Sequence, residues 1–221
     1  QMPQRIKRQP IDDQGGYLVR AATGDVNYWC SFVADPLTVL FFLFWEPLVL
    51  HSRPAIVIGG YASGLLSWSL LEYAAHRWFY HQGETPAHTG HKMHHESPKQ
   101  LIAMPWFIIT GIMAGLWFVF AYRWQFRGVL VFVAGLLAGF VYYGALHHIH
   151  HHFSFKNSWY RKLRRHHVIH HQLPHVNFGV TSPLWDYIFR TNFRRATVSR
   201  KPRMRLLIEY CRLRWLHAGD A

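Results

Sequence analysis

The chain has 221 residues, half of them hydrophobic and 17% aromatic, with a formal net charge of +13 before any histidine is counted. Its two cysteines, Cys30 and Cys211, have no spacing that suggests a disulfide framework or a metal knuckle. So basic a chain suits nucleic acid, an acidic substrate or an anionic membrane face, and the order of its residues decides among these.

Residues 1–31 are polar, with Arg5, Lys7 and Arg8 early, which reads as a cytoplasmic N-terminal segment rather than a cleavable signal peptide. Met2 follows Gln1, which fits a start inside a longer gene product. Mean hydropathy is −0.04, an average that hides strong segregation. Phe32 to Leu50 is apolar but interrupted by Asp35-Pro36 and Glu46-Pro47, so it either spans a bilayer or lies as a re-entrant or interfacial segment. Pro54 to Ala75 is more apolar, with Glu72 near its end. Leu101 to Tyr122 and Gly128 to Leu146 hold no charged residue. Both approach the ~20 residues that carry a helix across a bilayer core. Such segments leave too little polar chain to wrap a soluble core. The expected fold is all-α: an integral membrane bundle of about four spanning helices with a cytoplasmic His-rich helical cap. The expected division is 1–31, a membrane domain at 32–191 and a basic tail at 192–221.

Lys and Arg concentrate after residue 152, with more before residue 31 and at Arg77, Lys92 and Lys99; the other short connections hold only Arg53, Arg123 and Arg127. The positive-inside rule then puts both termini and the second-to-third connection in the cytoplasm. RIKRQ and RRATVSRKPRMR read as topology signals or headgroup contacts; no nucleic-acid partner is expected.

All but His51 and His217 of the 18 histidines gather in four clusters: HRWFYH, HTGHKMHH, HHIHHH, and HHVIHH with His175 just behind it. On a helix, positions i, i+3 and i+4 share a face, as do His91, His94 and His95, and likewise His167, His170 and His171. His147 and His151 lie one turn apart. His76 and His81, five apart, do not share an α-helical face, so a helix ending near Phe79 would have to let His81 fold back. A satisfied core histidine, a metal-buffering tract and a pH sensor each fail to account for four clusters at span ends on one membrane face. Ten imidazoles exceed one ion and suggest two. All-nitrogen ligation leaves iron, zinc and copper open.

In this order, HRWFYH, HKMHH, HHIHH and HHVIHHQLPHVNFGVTSPLWDYIF resemble the fatty acid hydroxylase/sterol desaturase superfamily, the last stretch being similar to its fatty acid (sphingolipid) 2-hydroxylase branch. The resemblance implies a membrane-bound, O2-dependent di-iron lipid hydroxylase, with zinc able to replace iron in purified protein. One ion would take His76, His81, His91, His95 and His170; the other would take His94, His147, His151, His167 and His171. His88, His148, His150, His152, His166 and His175 fall outside that pattern and read as supporting or solvated. Glu72, one turn before His76, is expected to orient it, and Asp186 to fix a histidine or cap a helix. Trp78, Phe107 and Trp185 are expected along the acyl path. The family's frequent Asp after the Tyr that precedes the third motif is Gly144 here. Residues 1–31 are too few for a fused cytochrome domain, so a separate donor is expected, a b-type cytochrome or a ferredoxin with its reductase. Two other readings stand beside this one: a sterol or carotenoid/terpenoid desaturase or hydroxylase, and a membrane metal-binding or transport protein, which would place ligands along a path within the spans.

Overall fold

The computed structural model describes residues 16–193; the tail from residue 194 and the start of the N-terminal segment lie outside them. All regular structure among the described residues is helical: α1 (Gly16–Ala22), α2 (Asp25–Leu48), α3 (Pro54–Ala74), α4 (Pro86–Glu96), α5 (Trp106–Leu116), α6 (Val129–His152), α7 (Ser158–Gln172) and α8 (Leu184–Ile188). α3 runs on into a π-helical turn at Ala75–Tyr80, and α5 into another at Trp117–Arg123. Among the described residues, four helices are long and apolar enough to cross a membrane.

α6 is the centre of the bundle, packed against α3 on one side and α2 on the other. Leu130, Ala134 and Leu137 of α6 form a core with Val39 and Phe42 of α2 and with Ala121. Gly64 and Gly135 bring α3 and α6 into backbone contact: a Cβ on Gly64 would strike the Phe132 carbonyl oxygen and stand 2.9 Å from the Gly135 Cα. Without a hydrophobic drive between helices in lipid, such close approach is what lets backbones gain dispersion contact.

The first apolar segment is one helix beginning at Asp25, with Pro36 and Pro47 inside it. A proline removes one backbone bond and usually kinks or breaks a helix, but here the face carrying Tyr28, Asp35, Val39, Phe42 and Glu46 is buried, and tertiary packing outweighs the local loss. The third helix starts at Trp106 rather than at Leu101. Pro105 is its N-cap, and the stretch before it is tied to α1 and α2. Ala103 N–H donates to the Ala22 carbonyl (3.0 Å), and the Asn27 side chain accepts from Trp106 N–H (2.9 Å). At the end of the bundle away from the histidines, Glu46 accepts from Ser52 Oγ (2.8 Å) and from Gly128 N–H. Gly128 has φ +89°, a left-handed conformation that glycine adopts without steric cost. α3 and α6 therefore end on the same face, and α4 and α7, each N-capped by a side chain (Thr85 and Asn157), lie over them.

Candidate metal centre

The π-helical turn decides the place of the first two histidines. Its bonds run i to i+5, so residues five apart close one turn. His76 and His81 therefore stack with ring centroids 5.2 Å apart with no fold-back of the chain. α4, α6 and α7 present the other eight at ordinary helical spacing.

The ten histidines form two groups whose candidate ligand atoms lie within 4.8 Å of one another: His76, His81, His91, His95 and His170; and His94, His147, His151, His167 and His171. In the first group Nε2 atoms meet at 3.1 Å (His76–His91), 3.0 Å (His81–His170) and 3.0 Å (His91–His95). In the second they meet at 2.8 Å (His151–His167) and 3.1 Å (His94–His171). His95 of one group stacks on His171 of the other with centroids 4.3 Å apart, so the groups are side by side.

Behind the first group, His76 Nδ1–H donates to the Phe178 carbonyl and His170 Nδ1–H to the Val176 carbonyl (2.9 Å). That fixes the tautomer and leaves each Nε2 as a bare lone pair. Lone pairs converging without protons repel one another unless a cation sits among them, so the donor set fits metal ions.

Burial, and then the neighbouring imidazoles, hold His91, His94, His167 and His171 well below the usual histidine range. Burial pulls His81 and His95 down to about 4. These groups bind protons in the unfolded chain below its ordinary value of about 6.5, while the folded chain stays neutral. Folding stability is therefore full above pH 6.5 and falls as pH drops toward 4. The metal-free protein is expected to show a melting temperature that declines across that window. A flat profile would mean that these histidines take up protons in place.

The loop from Val176 to Ser182 supplies the bracing carbonyls and is itself held by two buried carboxylates. Glu72 accepts from Val180 N–H (2.8 Å), Thr181 N–H (2.8 Å) and Thr181 Oγ1 (2.5 Å). It bonds this loop, not His76, and so bears on His76 only through the Phe178 carbonyl. Asp186 caps nothing; it accepts from Phe178 N–H (2.8 Å), Gly179 N–H (2.8 Å), His166 Nε2 (2.9 Å) and Thr191 Oγ1 (2.7 Å). Burial alone would raise its carboxyl, but the bonds from His166, Thr191 and Gly179 hold it below the usual carboxylate range. Asn177, buried at φ +57°, donates to the His166 carbonyl (3.1 Å). Sequence reasoning missed the loop carbonyls and Asn177; the Asn-Phe-Gly run, turn-forming residues between a histidine cluster and a helix, was the available signal.

Of the six histidines set aside, His150 is fully buried beside the Val180 carbonyl (3.4 Å) and His166 holds Asp186. His148 pairs with the Tyr28 hydroxyl (2.8 Å), His88 with the Tyr80 carbonyl (3.0 Å), and His152 stacks on His148. His175 is exposed.

A cavity of about 450 Å³ opens among α2, α4, α5 and α6 and reaches His91, His94, His147 and His151; its apolar wall includes Phe32, Phe79, Ile108 and Phe140. Trp78, Phe107 and Trp185 do not line it. Trp78 is half-exposed and lies under the Arg77 guanidinium, Phe107 is exposed, and Trp185 Nε1 donates to Ser69 Oγ (3.1 Å). A helix apolar on all sides carries no periodicity to say which aromatic turns inward.

Residues 61–191 match the model of the fatty acid hydroxylase family. Over 59% of its length the chain is 29% identical to a dihydroceramide fatty acyl 2-hydroxylase of Arabidopsis thaliana, covering 59% of that protein. Over 75% it is 30% identical to the fatty acid 2-hydroxylase of Rattus norvegicus, covering 47%. Over 62% it is 30% identical to a ceramide very long chain fatty acid hydroxylase of Schizosaccharomyces pombe, covering 43%. The chain thus spans about half the length of the curated relatives it matches. A solved structure described as full-length scs7p, with only its hydroxylase domain visible, shares the fold at a TM-score of 0.65, with 24% identity over 81% of this chain and 71% of that one. With its family match covering more than half of its residues, the chain belongs to the fatty acid hydroxylase family.

Proposed function

We propose that the chain is a membrane-bound di-iron hydroxylase that inserts one oxygen from O2 into the acyl chain of a fatty acid or sphingolipid, next to its carbonyl carbon. The observation that carries this reading is the pair of five-histidine groups reached by an apolar cavity set among spanning helices. The names of the relatives support the substrate class, and two of them the position of attack.

An acyl C–H bond has no leaving group, and side-chain acids and bases cannot oxidise it; two iron ions held by the ten histidines would supply that redox chemistry with O2. The chain's own part is to hold, orient and exclude. His76 and His170 keep their Nε2 atoms aimed inward because the Phe178 and Val176 carbonyls take their other protons, the outer support that tunes most histidine–metal sites. Phe32, Phe79 and Phe140 seat an acyl chain and keep water from the reacting carbon. In this reading residues 32–191 form the hydroxylase unit and the histidine face is cytoplasmic. Electrons arrive there from a b-type cytochrome, or from a ferredoxin with its reductase.

Expression of the chain in cells with a confirmed electron supply, followed by mass spectrometry of total lipids against an empty vector, tests this. One lipid class is expected to gain a single oxygen, placed by fragmentation on the carbon beside the acyl carbonyl. A class that loses two hydrogens instead would make the chain a desaturase, and unchanged lipids would overturn the reading.

A further inference from the structure

Asp35 has no part in the chemistry above, yet it is a carboxyl within a spanning helix. It is 3% exposed and its Oδ1 has no hydrogen-bond partner. A buried acceptor left unpaired costs stability, and within a membrane the cost is kept where it serves a ligand or a path. Asp35 shares its helix face with Val39 and Phe42 of the core but, unlike them, borders the cavity. Tyr28, Ser31, Phe32 and Asp35 form one stripe of α2, and all four line the cavity. The other polar groups of the stripe are engaged: Ser31 Oγ donates to the Tyr28 carbonyl (2.8 Å), and the Tyr28 hydroxyl pairs with His148 (2.8 Å). Oδ1 of Asp35 is therefore the unpartnered acceptor on that stripe.

The register between α2 and α6 sets its depth. Tyr28 meets His148, and Phe32 Cζ stands 3.8 Å from where a Cβ on Gly144 would be, so the helices run antiparallel. Asp35, seven residues beyond Tyr28, lies about 10 Å further along the axis at ~1.5 Å per residue. A carboxyl side chain and one hydrogen bond cover roughly half of that distance. A donor bonded to Asp35 then lies a few bonds from a carbon held at His147. Amide N–H and hydroxyl groups stand at that separation from the first acyl carbons in an N-acyl amino alcohol.

We propose that Asp35 is the specificity-determining residue of this cavity: its Oδ1 accepts an N–H or O–H from the polar end of a neutral amide lipid, and lipids that bring no donor are rejected. The proposal rests on the lipid-hydroxylase reading for the occupant of the cavity. Its physical basis is that a site built to hydrogen-bond a ligand group discriminates strongly against an analogue that leaves the buried partner unpaired.

The test is equilibrium binding to the purified full chain in nanodiscs. The probes are a short-chain dihydroceramide, its analogue methylated on the amide nitrogen and both hydroxyl oxygens, and the free fatty acid of the same acyl length. Wild type is expected to bind the first at least about tenfold tighter than either other, the effect of one buried hydrogen bond. Asp35→Asn, which keeps a carbonyl acceptor, is expected to retain most of that preference. Asp35→Leu should lose it while melting no lower than wild type, because it removes an unpaired buried carboxyl. Equal binding of all three probes by wild type would overturn the assignment. So would discrimination that persists in Asp35→Leu, which would be steric, or a lower melting temperature with the preference intact, which would make Asp35 structural. Oxygen insertion is read separately: a binding preference without oxygenated product would sink the hydroxylase reading and spare Asp35, and product without a preference would do the reverse.

Discussion

His170→Ala is expected to bind about one metal ion fewer per chain than wild type and to lose lipid oxygenation. The loss should exceed the ~10–100-fold that removal of a mere orienting partner costs. His170 is fully buried, its Nε2 lies 3.0 Å from that of His81, and its ring is 4.3 Å from His76. Alanine removes one of five converging donors and also leaves the Val176 carbonyl without its partner. His150→Ala is the matched comparison. His150 is equally buried, but its Nε2 faces the Val180 carbonyl at 3.4 Å, outside both groups. That variant is expected to melt lower yet hold its full metal content. Metal analysis of size-fractionated protein, beside the lipid assay, separates the two. Undiminished metal and turnover in His170→Ala would remove that histidine from the centre.

Asp186→Ala is expected to destabilise the protein by about 3–5 kcal/mol, since each buried group left unpaired costs ~1–3 kcal/mol. Such a loss is a large share of the roughly 5–15 kcal/mol that holds a typical domain together. Four donors converge on this carboxylate, two of them the backbone N–H groups of Phe178 and Gly179. The damage should also be uneven. The Phe178 and Val176 carbonyls brace His76 and His170, both in one group. The second group has no such brace at His151, His167 or His171, whose Nδ1 atoms are buried without a partner. Metal titration of Asp186→Ala should therefore show one site weakened and the other close to wild type, with a lowered melting temperature in the same sample. Equal weakening of both sites, or unchanged melting, would mean that the loop does not govern the histidines.

Much of this architecture is written locally in the chain. The two charge-free segments had to become helices in lipid, because only a helix satisfies its own backbone there. The sets His91, His94, His95 and His167, His170, His171 share a face by helical period alone. Four spans and the histidine sets were legible for that reason. The superfamily resemblance, rather than spacing, suggested how the ten histidines divide, and the geometry gathers the same two sets.

What the sequence could not carry was anything that depends on which surfaces meet. By α-helical period His76 and His81 point apart, and only the π-helical turn at Ala75–Tyr80 stacks them. Pro36 argued for a broken first segment until burial of the α2 face against α6 outweighed one lost backbone bond. Glu72 has His76 one turn away in sequence but spends its carboxylate on Val180 and Thr181, 108 and 109 residues distant. Helical period is a property of neighbours along the chain, so it was readable from the chain. Partners of a buried carboxylate, and the inward side of a helix apolar all round, are set by long-range packing, and only the tertiary structure decides them.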